Sequence, residues 1–334
     1  MNYFDQIIFA SEENASALIN SHTQTLDNKT KKALFKRNVE IINLELSYRC
    51  NRKCDYCPVS FSSRNAHQLF MSNEILNKIC QELQEIRYEN RISLNLYNEP
   101  LLDNNLEEKI SLIKKHLPYC HIAFNSNGDK LNFNRLKTLS DAGCDYICVT
   151  LHPPAKKEQD LNDIKKRLSN LCKKLKYEKP EYFDIERNNF IQFRSIGINI
   201  KIQWPDWHNN GTNRAGILTE HISKTFKRSQ PCAKPFREFT IYYDGKVQPC
   251  CEIFHDTTHN ILEMGDLSKK SIFDIYCSEK LSKFRMDLFD FSKKYGVCEK
   301  CNVKDYSNPE DDVLRKKIIQ EIKNSDYEKK IEYK

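Results

Sequence analysis

No run in the 334 residues approaches the length of a membrane-spanning helix, so no such helix is expected. The opening Met1-Asn2-Tyr3-Phe4-Asp5 lacks the basic-then-apolar order of a secretory signal, so a cytoplasmic protein is expected. A strong excess of one charge is lacking too. The 53 basic and 46 acidic residues leave +7, compatible with an anionic small substrate but too diffuse for a nucleic-acid partner. With 39% hydrophobic residues the chain has the material for a sizeable core, so wholesale disorder is excluded. Its length suits one large α/β domain with an appendage, or two modest domains. What is plentiful is cysteine. Fourteen of them in a reducing compartment are expected to be metal ligands or buried thiols, not disulfides.

Three cysteines stand in Cys50-Asn51-Arg52-Lys53-Cys54-Asp55-Tyr56-Cys57, directly after Ile41-Ile42-Asn43-Leu44-Glu45-Leu46-Ser47. That preceding segment alternates with period 2 and reads as a strand. A C-x-x-x-C-x-x-C spacing can reach three corners of one small cluster. Three thiolates leave one iron of a cubane without a protein ligand, an open position where chemistry can occur. A zinc loop or a set of unrelated buried thiols is the plainer alternative.

Residues 1–38 are polar with scattered apolar positions and read as an N-terminal cap or arm. After the cysteine loop, Ser72 is placed as the N-cap of a helix to about Ile86, with Met71 and Leu76 as its hydrophobic staple. Strands are expected over Arg91–Tyr97, His121–Asn125, Tyr146–His152 and Ile198–Gln203, and helices over about 105–117, 131–142 and 157–176. Residues 181–196 hold an extra strand or hairpin. Strands alternating with helices imply parallel βαβ units. In each of four strands one face is apolar: Ile42, Leu44 and Leu46; Ile92, Leu94 and Leu96; Ile147, Val149 and Leu151; Ile198, Ile200 and Ile202. The other face carries Asn43, Glu45 and Ser47; Ser93, Asn95 and Tyr97; Cys148, Thr150 and His152; Asn199, Lys201 and Gln203. If helices wrap the apolar face, the polar face lines an open cavity with the cysteine loop at its mouth. An antiparallel sheet with one wet face is the competing arrangement.

Beyond Gly211–Gly216 the chain changes character. Cys232 is followed by Thr240–Cys251, in which Asp244-Gly245 reads as a two-residue hairpin turn, and then by Cys298-Glu299-Lys300-Cys301. Residues 271–295 read as a helical core segment. Cys80, Cys120, Cys144, Cys172 and Cys277 read as buried small hydrophobes. Residues 306–334 form a charged tail with no assigned role.

The loop Cys50…Cys54-Asp55-Tyr56-Cys57 resembles that of the radical S-adenosylmethionine (SAM) enzymes, with Tyr56 in the aromatic slot. The resemblance implies a partial (βα)6 TIM-like barrel over residues 39–215, with a [4Fe–4S] cluster on Cys50, Cys54 and Cys57. SAM would then bind the fourth iron through its amino and carboxylate groups. Tyr97-Asn98-Glu99-Pro100 takes the place of the family's Gly-Gly-Glu-Pro turn without either glycine, and Asn98 could make the turn in a left-handed conformation. Asn125-Ser126-Asn127-Gly128 is similar to the family's segment after the third strand, and Thr150 stands where a polar residue often touches SAM. Tyr56, Asn98, Glu99, Asn125, Ser126 and Thr150 are therefore the implied cofactor contacts. The family's helix arginine has no clear match; Lys165 and Arg167 are approximate.

The second cysteine set resembles the twitch form of the SPASM domain, which implies an auxiliary [4Fe–4S] cluster over residues 216–305. Cys232, Cys250, Cys298 and Cys301 would be its four ligands. Cys251 could replace Cys250, and zinc could occupy the same four thiolates. The implied activity is reductive cleavage of SAM to a 5′-deoxyadenosyl radical, fed by a reductase or a flavodoxin- or ferredoxin-type donor. Hydrogen abstraction from a polar small molecule follows, a sugar, cyclitol or nucleotide-linked sugar, with net oxidation through the auxiliary cluster. Glu45, His152 and Lys201 are the candidate proton acceptors. Beside that stand plainer roles: Glu45 and Lys201 paired inside the barrel, and His152 as a loop histidine. Peptide maturation is the second reading, although the first 38 residues are too short for a separate peptide-binding module. A non-catalytic iron–sulfur or zinc protein is the third.

Overall fold

The computed structural model describes residues 17–19, 25–153, 160–178, 189–207, 211–218, 226–255, 262–289 and 292–303. Most of the N-terminal arm and all of the 306–334 tail lie outside the described residues. The strands are β1 (Ile41–Leu44), β2 (Arg91–Ser93), β3 (His121–Ser126), β4 (Tyr146–Thr150), β5 (Phe190–Ser195), β6 (Ile198–Gln203), β7 (Glu238–Ile241), β8 (Lys246–Gln248) and β9 (Gly265–Asp266). They form one sheet in the order β5-β6-β4-β3-β2-β1-β7-β8-β9. The pairs from β6 through β4, β3, β2 and β1 to β7 are all parallel, which sets aside the antiparallel arrangement. The sixth parallel strand is β7, supplied by the C-terminal part of the chain, so the two cysteine regions share one sheet.

Helix α1 (Asn28–Asn38) precedes β1. Helices α2 (Asn73–Glu85), α3 (Leu106–His116), α4 (Phe133–Ala142) and α5 (Leu161–Lys174) are the crossovers. Local chemistry sets their limits. Ser72 accepts the Ile75 N–H at the start of α2, and Gly143, at φ +100°, closes α4 in the left-handed region. The apolar strand faces do pack under these helices. Ile42, Leu44, Leu46, Ile92, Leu94, Ile147, Val149, Leu151, Ile198, Ile200 and Ile202 belong to one buried core. Leu96 does not, because β2 ends at Ser93 and the expected alternation no longer applies.

Three local expectations change. The 181–196 ambiguity resolves, for its described part, into β5 antiparallel to β6, joined by Ile196 and Gly197 at φ 40° and 87°. The β7–β8 turn is longer than two residues: Tyr242 N–H donates to the Lys246 carbonyl and left-handed Gly245 N–H to the Tyr242 carbonyl. The 271–295 segment holds, in its described part, two short helices, α7 (Ile272–Tyr276) and α8 (Glu279–Asp287), because Ser278 caps a new start by accepting the Leu281 N–H. The tetrapeptide helix Lys234–Arg237, α6, leads into β7. All fourteen cysteines are free thiols, and Cys80, Cys120, Cys144, Cys172 and Cys277 are buried.

Candidate active site

The C-terminal ends of the parallel strands open onto a cleft enclosing about 830 Å³ of space, its open mouth included. Its wall takes Asn95–Glu99 from beyond β2, Asn125–Asn127 from β3, Thr150 and His152 from β4, and Gln203 and Trp207 from β6, with Cys50, Cys54 and Cys57 beside them. Of the polar face that strand parity predicts, Asn95, Tyr97, Thr150, His152 and Gln203 reach this cleft.

The cysteine loop is held from both sides. Behind it, Tyr48 N–H donates to the Leu69 carbonyl and Met71 N–H to the Leu46 carbonyl, closing the segment at its base. In front, Arg52 donates to both Asp129 oxygens at 3.0 and 2.5 Å, and Asn51 Nδ2 reaches Asp129 at 2.9 Å. Asn127 Nδ2 completes the clip by donating to Asn51 Oδ1 at 2.8 Å. The guanidinium of Arg52 holds the Asp129 carboxyl below its usual range against the opposing effect of burial.

Glu99 joins two of the strand ends. Its carboxylate accepts from Ser126 Oγ and Asn127 N–H, both at 2.7 Å, and from Leu101 N–H at 3.1 Å. Burial raises its carboxyl to about 7 in spite of those donors. Asn98 does not use a left-handed backbone, as it is absent from the positive-φ residues. Its side chain makes the turn instead, accepting Leu96 N–H at 3.0 Å and donating to Ser47 Oγ at 3.1 Å. The amide thus replaces the conformational freedom of the missing glycines. Thr150 Oγ1 accepts from Gln203 Nε2 at 3.2 Å. Arg167 does not line the cleft; it donates to the His152 carbonyl and pairs with Asp163.

Tyr56 sits within an aromatic stack, 5.3 Å from Trp207 and 5.8 Å from His152 between ring centroids. Its hydroxyl is 2.6 Å from His152 Nδ1. Burial, aided by Arg52, lowers the His152 pKa to about 4, so the ring is neutral at physiological pH.

The two other candidate proton acceptors are placed differently from expectation. Glu45 is fully buried, and Arg64 donates to its two oxygens at 2.7 and 3.2 Å, with Tyr97 N–H at 3.1 Å. Its partner is therefore Arg64, not Lys201, and it is closed to a substrate. Lys201 lies outside the cleft wall, with its ammonium 4.5 Å from the Phe190 ring centroid. Of the three, only His152 lines the cleft.

The second set of thiols also converges. Cys232, Cys250, Cys298 and Cys301 line one closed pocket together with Ala215, Glu252 and Leu288. Cys251, in the turn that follows β8, does not line it, and its Sγ is 3.5 Å from Lys234 Nζ. Burial raises the Cys50 and Cys298 thiols to about 12, and burial reinforced by neighbouring thiols raises Cys250 well above its usual value. Such groups become thiolates only beside strong positive charge, which iron supplies. Three thiols gather at the cleft and four in the second pocket, and in number and chemistry both sets fit iron–sulfur clusters.

Between the two pockets lies Arg214, which the sequence reading passed over. It lines the cleft, its Nη1 is 3.3 Å from Glu252 Oε2, and Thr212 Oγ1 donates to the same oxygen at 2.7 Å. Trp207, Asn51, Arg52 and Asp129 were passed over as well. Parity of β6 points to Gln203, but loop residues carry no periodic signal.

Residues 44–181 match the radical SAM superfamily, and residues 232–302 match the iron–sulfur cluster-binding SPASM domain. A curated relative, the S-adenosyl-L-methionine-dependent 2-deoxy-scyllo-inosamine dehydrogenase of Niallia circulans, is 28% identical over 263 residues, 78% of this chain and 92% of its own length. The structure of BtrN in complex with AdoMet and 2-DOIA aligns with a TM-score of 0.59 at 23% identity, covering 80% of this chain and 97% of that one. BtrN in an open conformation aligns at 0.52 and 21%, covering 79% and 92%. These two likenesses show the shared partial-barrel fold. The chain thus carries a radical SAM superfamily domain followed by a C-terminal iron–sulfur cluster-binding SPASM domain.

Proposed function

We propose that the protein dehydrogenates a polyhydroxylated ring of the aminocyclitol class, in the cytoplasm. The observation that carries this reading is the cleft, where Asn95, Asn125, Thr150, Gln203 and Arg214 face the same space as Cys50, Cys54 and Cys57. A compact ring with several hydroxyls matches a wall of amides and hydroxyls. The Niallia circulans relative, named for its action on 2-deoxy-scyllo-inosamine, supports the ring class.

When bound, the two clusters and SAM supply a 5′-deoxyadenosyl radical for hydrogen abstraction and an acceptor for the second electron. Cys50, Cys54 and Cys57 would hold the first cluster, and Cys232, Cys250, Cys298 and Cys301 the second. Asn98, Asn125, Ser126 and Thr150 would contact SAM, with Tyr56 stacked at the edge of the site. Glu99 would act at one remove, by holding the 126–127 segment against the 97–99 turn. Arg214 would donate charge-assisted hydrogen bonds to substrate oxygens, its guanidinium held by Glu252. Oxidation at an alcohol carbon also releases a proton, and His152 is the acceptor we retain. A flavodoxin- or ferredoxin-type carrier would approach the outer face of the cysteine loop. Arg49 and Lys53 are exposed on that loop, and Phe61 and Phe70 in the segment after it are 49% and 43% exposed.

Anaerobically reconstituted protein, given reductant, SAM and 2-deoxy-scyllo-inosamine, is expected to form 5′-deoxyadenosine and the corresponding ketone in equal amounts. SAM cleavage indifferent to that cyclitol and to related aminocyclitols would overturn the ring-substrate reading. Stimulation by a peptide instead would favour peptide maturation.

A further inference from the structure

Arg214, Ala215 and Gly216 are three consecutive residues in left-handed backbone, at φ 49°, 52° and 87°. Two of them carry side chains, and left-handed runs of such residues are disfavoured, so the surroundings must impose the conformation. A reciprocal pair of amides does so. Asn213 N–H donates to Asn302 Oδ1 at 2.7 Å, and Asn302 N–H donates to Asn213 Oδ1 at 3.2 Å. The same Asn213 oxygen accepts Gly216 N–H at 3.1 Å, inside the turn. The two amide nitrogens anchor the pair outward, Asn213 Nδ2 to the Lys300 carbonyl at 2.6 Å and Asn302 Nδ2 to the Gly211 carbonyl at 3.2 Å. Asn213 is only 1% exposed. The packing is close as well, since a Cβ on Gly216 would meet Lys300 Cβ at 2.8 Å.

This turn forms part of the wall between the two pockets. Arg214 lines the cleft of the first cysteine loop, while Ala215 lines the pocket of Cys232, Cys250, Cys298 and Cys301. Lys300 and Asn302 flank Cys301 in sequence. The clamp on Arg214 is therefore anchored in the second cysteine segment.

We infer that Asn213 and Asn302 are positioning residues that hold the strained turn and so keep the Arg214 guanidinium in the cleft. The inference rests on the reading of Arg214 as a substrate contact. Asn213→Ala is expected to raise KM for 2-deoxy-scyllo-inosamine by tenfold or more and to change kcat less. Iron content and substrate-free SAM cleavage should stay at wild-type levels. Ala215→Gly added to Asn213→Ala should restore part of the affinity, because glycine accepts the left-handed conformation without a clamp.

An unchanged KM in Asn213→Ala, with a raised KM in Arg214→Ala, would overturn the clamp. An unchanged KM in Arg214→Ala would overturn the substrate-contact reading instead. Loss of second-site iron in Asn213→Ala would make the asparagine a support of that pocket and also overturn the inference. If Asn213→Ala fails to fold, Ala215→Gly in the otherwise unchanged chain decides by thermal unfolding. A higher midpoint is expected from relief of left-handed strain, and an unchanged or lower midpoint overturns the inference.

Discussion

Arg64 Nη1 lies 2.7 Å from Glu45 Oε1, with both side chains fully buried. The same guanidinium donates to the Tyr48 carbonyl at 3.1 Å and to the His255 carbonyl at 2.5 Å. Arg64, from the segment after the cysteine loop, thus joins the stretch between β1 and that loop to the segment that follows Cys250 and Cys251. Four aromatic rings, those of Tyr48, Tyr97, Tyr242 and Phe254, surround it with centroids between 4.3 and 5.8 Å away.

Removing either charge should leave the other buried and unmatched. Arg64→Met or Glu45→Gln is expected to cost about 3–5 kcal/mol in denaturant unfolding. The double variant should recover part of that loss, since it leaves neither charge behind. Two additive single losses would show that the pair is not coupled.

His152 should remain neutral well below the ordinary histidine range. Its folded pKa lies near 4 against 6.5, so the unfolded chain binds a proton that the folded chain refuses. Its contribution to stability is then complete above about pH 6.5 and is lost as the pH falls towards 4. NMR titration, with the ring assigned by comparison with His152→Gln, should show no midpoint near 6.5. A midpoint there would mean that the ring is solvated rather than enclosed by the Tyr56 and Trp207 stack.

Gly128 stands at φ +74° beside the segment proposed to contact SAM, and a Cβ there would be 2.6 Å from Val149 Cγ1. Gly128→Ala should cost about 1–2 kcal/mol for the backbone alone. It should also displace Asn127 from Glu99 and so weaken SAM binding by calorimetry. Unchanged SAM affinity would separate the Glu99 network from the cofactor site.

The barrel was legible because β-strand parity is a strong signal when helices cover one face. Ile42, Leu44, Ile147, Val149, Ile200 and Ile202 all went where alternation sent them. The first cysteine set was legible from the short spacing of Cys50, Cys54 and Cys57, and the second, spread from Cys232 to Cys301, from its resemblance to the twitch form of the SPASM domain. Partner choice was not. A buried glutamate in an alternating strand looks the same whether its partner is Lys201 across the barrel or Arg64 from a following loop. Arg214 was hidden for a related reason: its position depends on a left-handed turn between asparagines remote in sequence, which no local pattern announces. The Asn98 turn shows the converse, a familiar backbone site reached by a different chemistry.

Within the second cysteine set, Cys250 and Cys251 should behave oppositely. Cys250→Ala should lose iron from the second site, because that thiol lines the pocket, whereas Cys251→Ala should retain it. Iron and sulfide analysis of anaerobically purified protein decides between them. The reverse outcome would shift the ligand register by one residue, and zinc in the wild-type site would remove the redox role of this region.

The central claim is that the cleft places a ring carbon where the radical derived from SAM can take its hydrogen atom. The most direct test uses 2-deoxy-scyllo-inosamine deuterated at its ring carbons, with SAM and reductant under anaerobic conditions. The account predicts 5′-deoxyadenosine carrying one deuterium, formed in step with the ketone. Unlabelled 5′-deoxyadenosine, or ketone formed without it, would contradict the account.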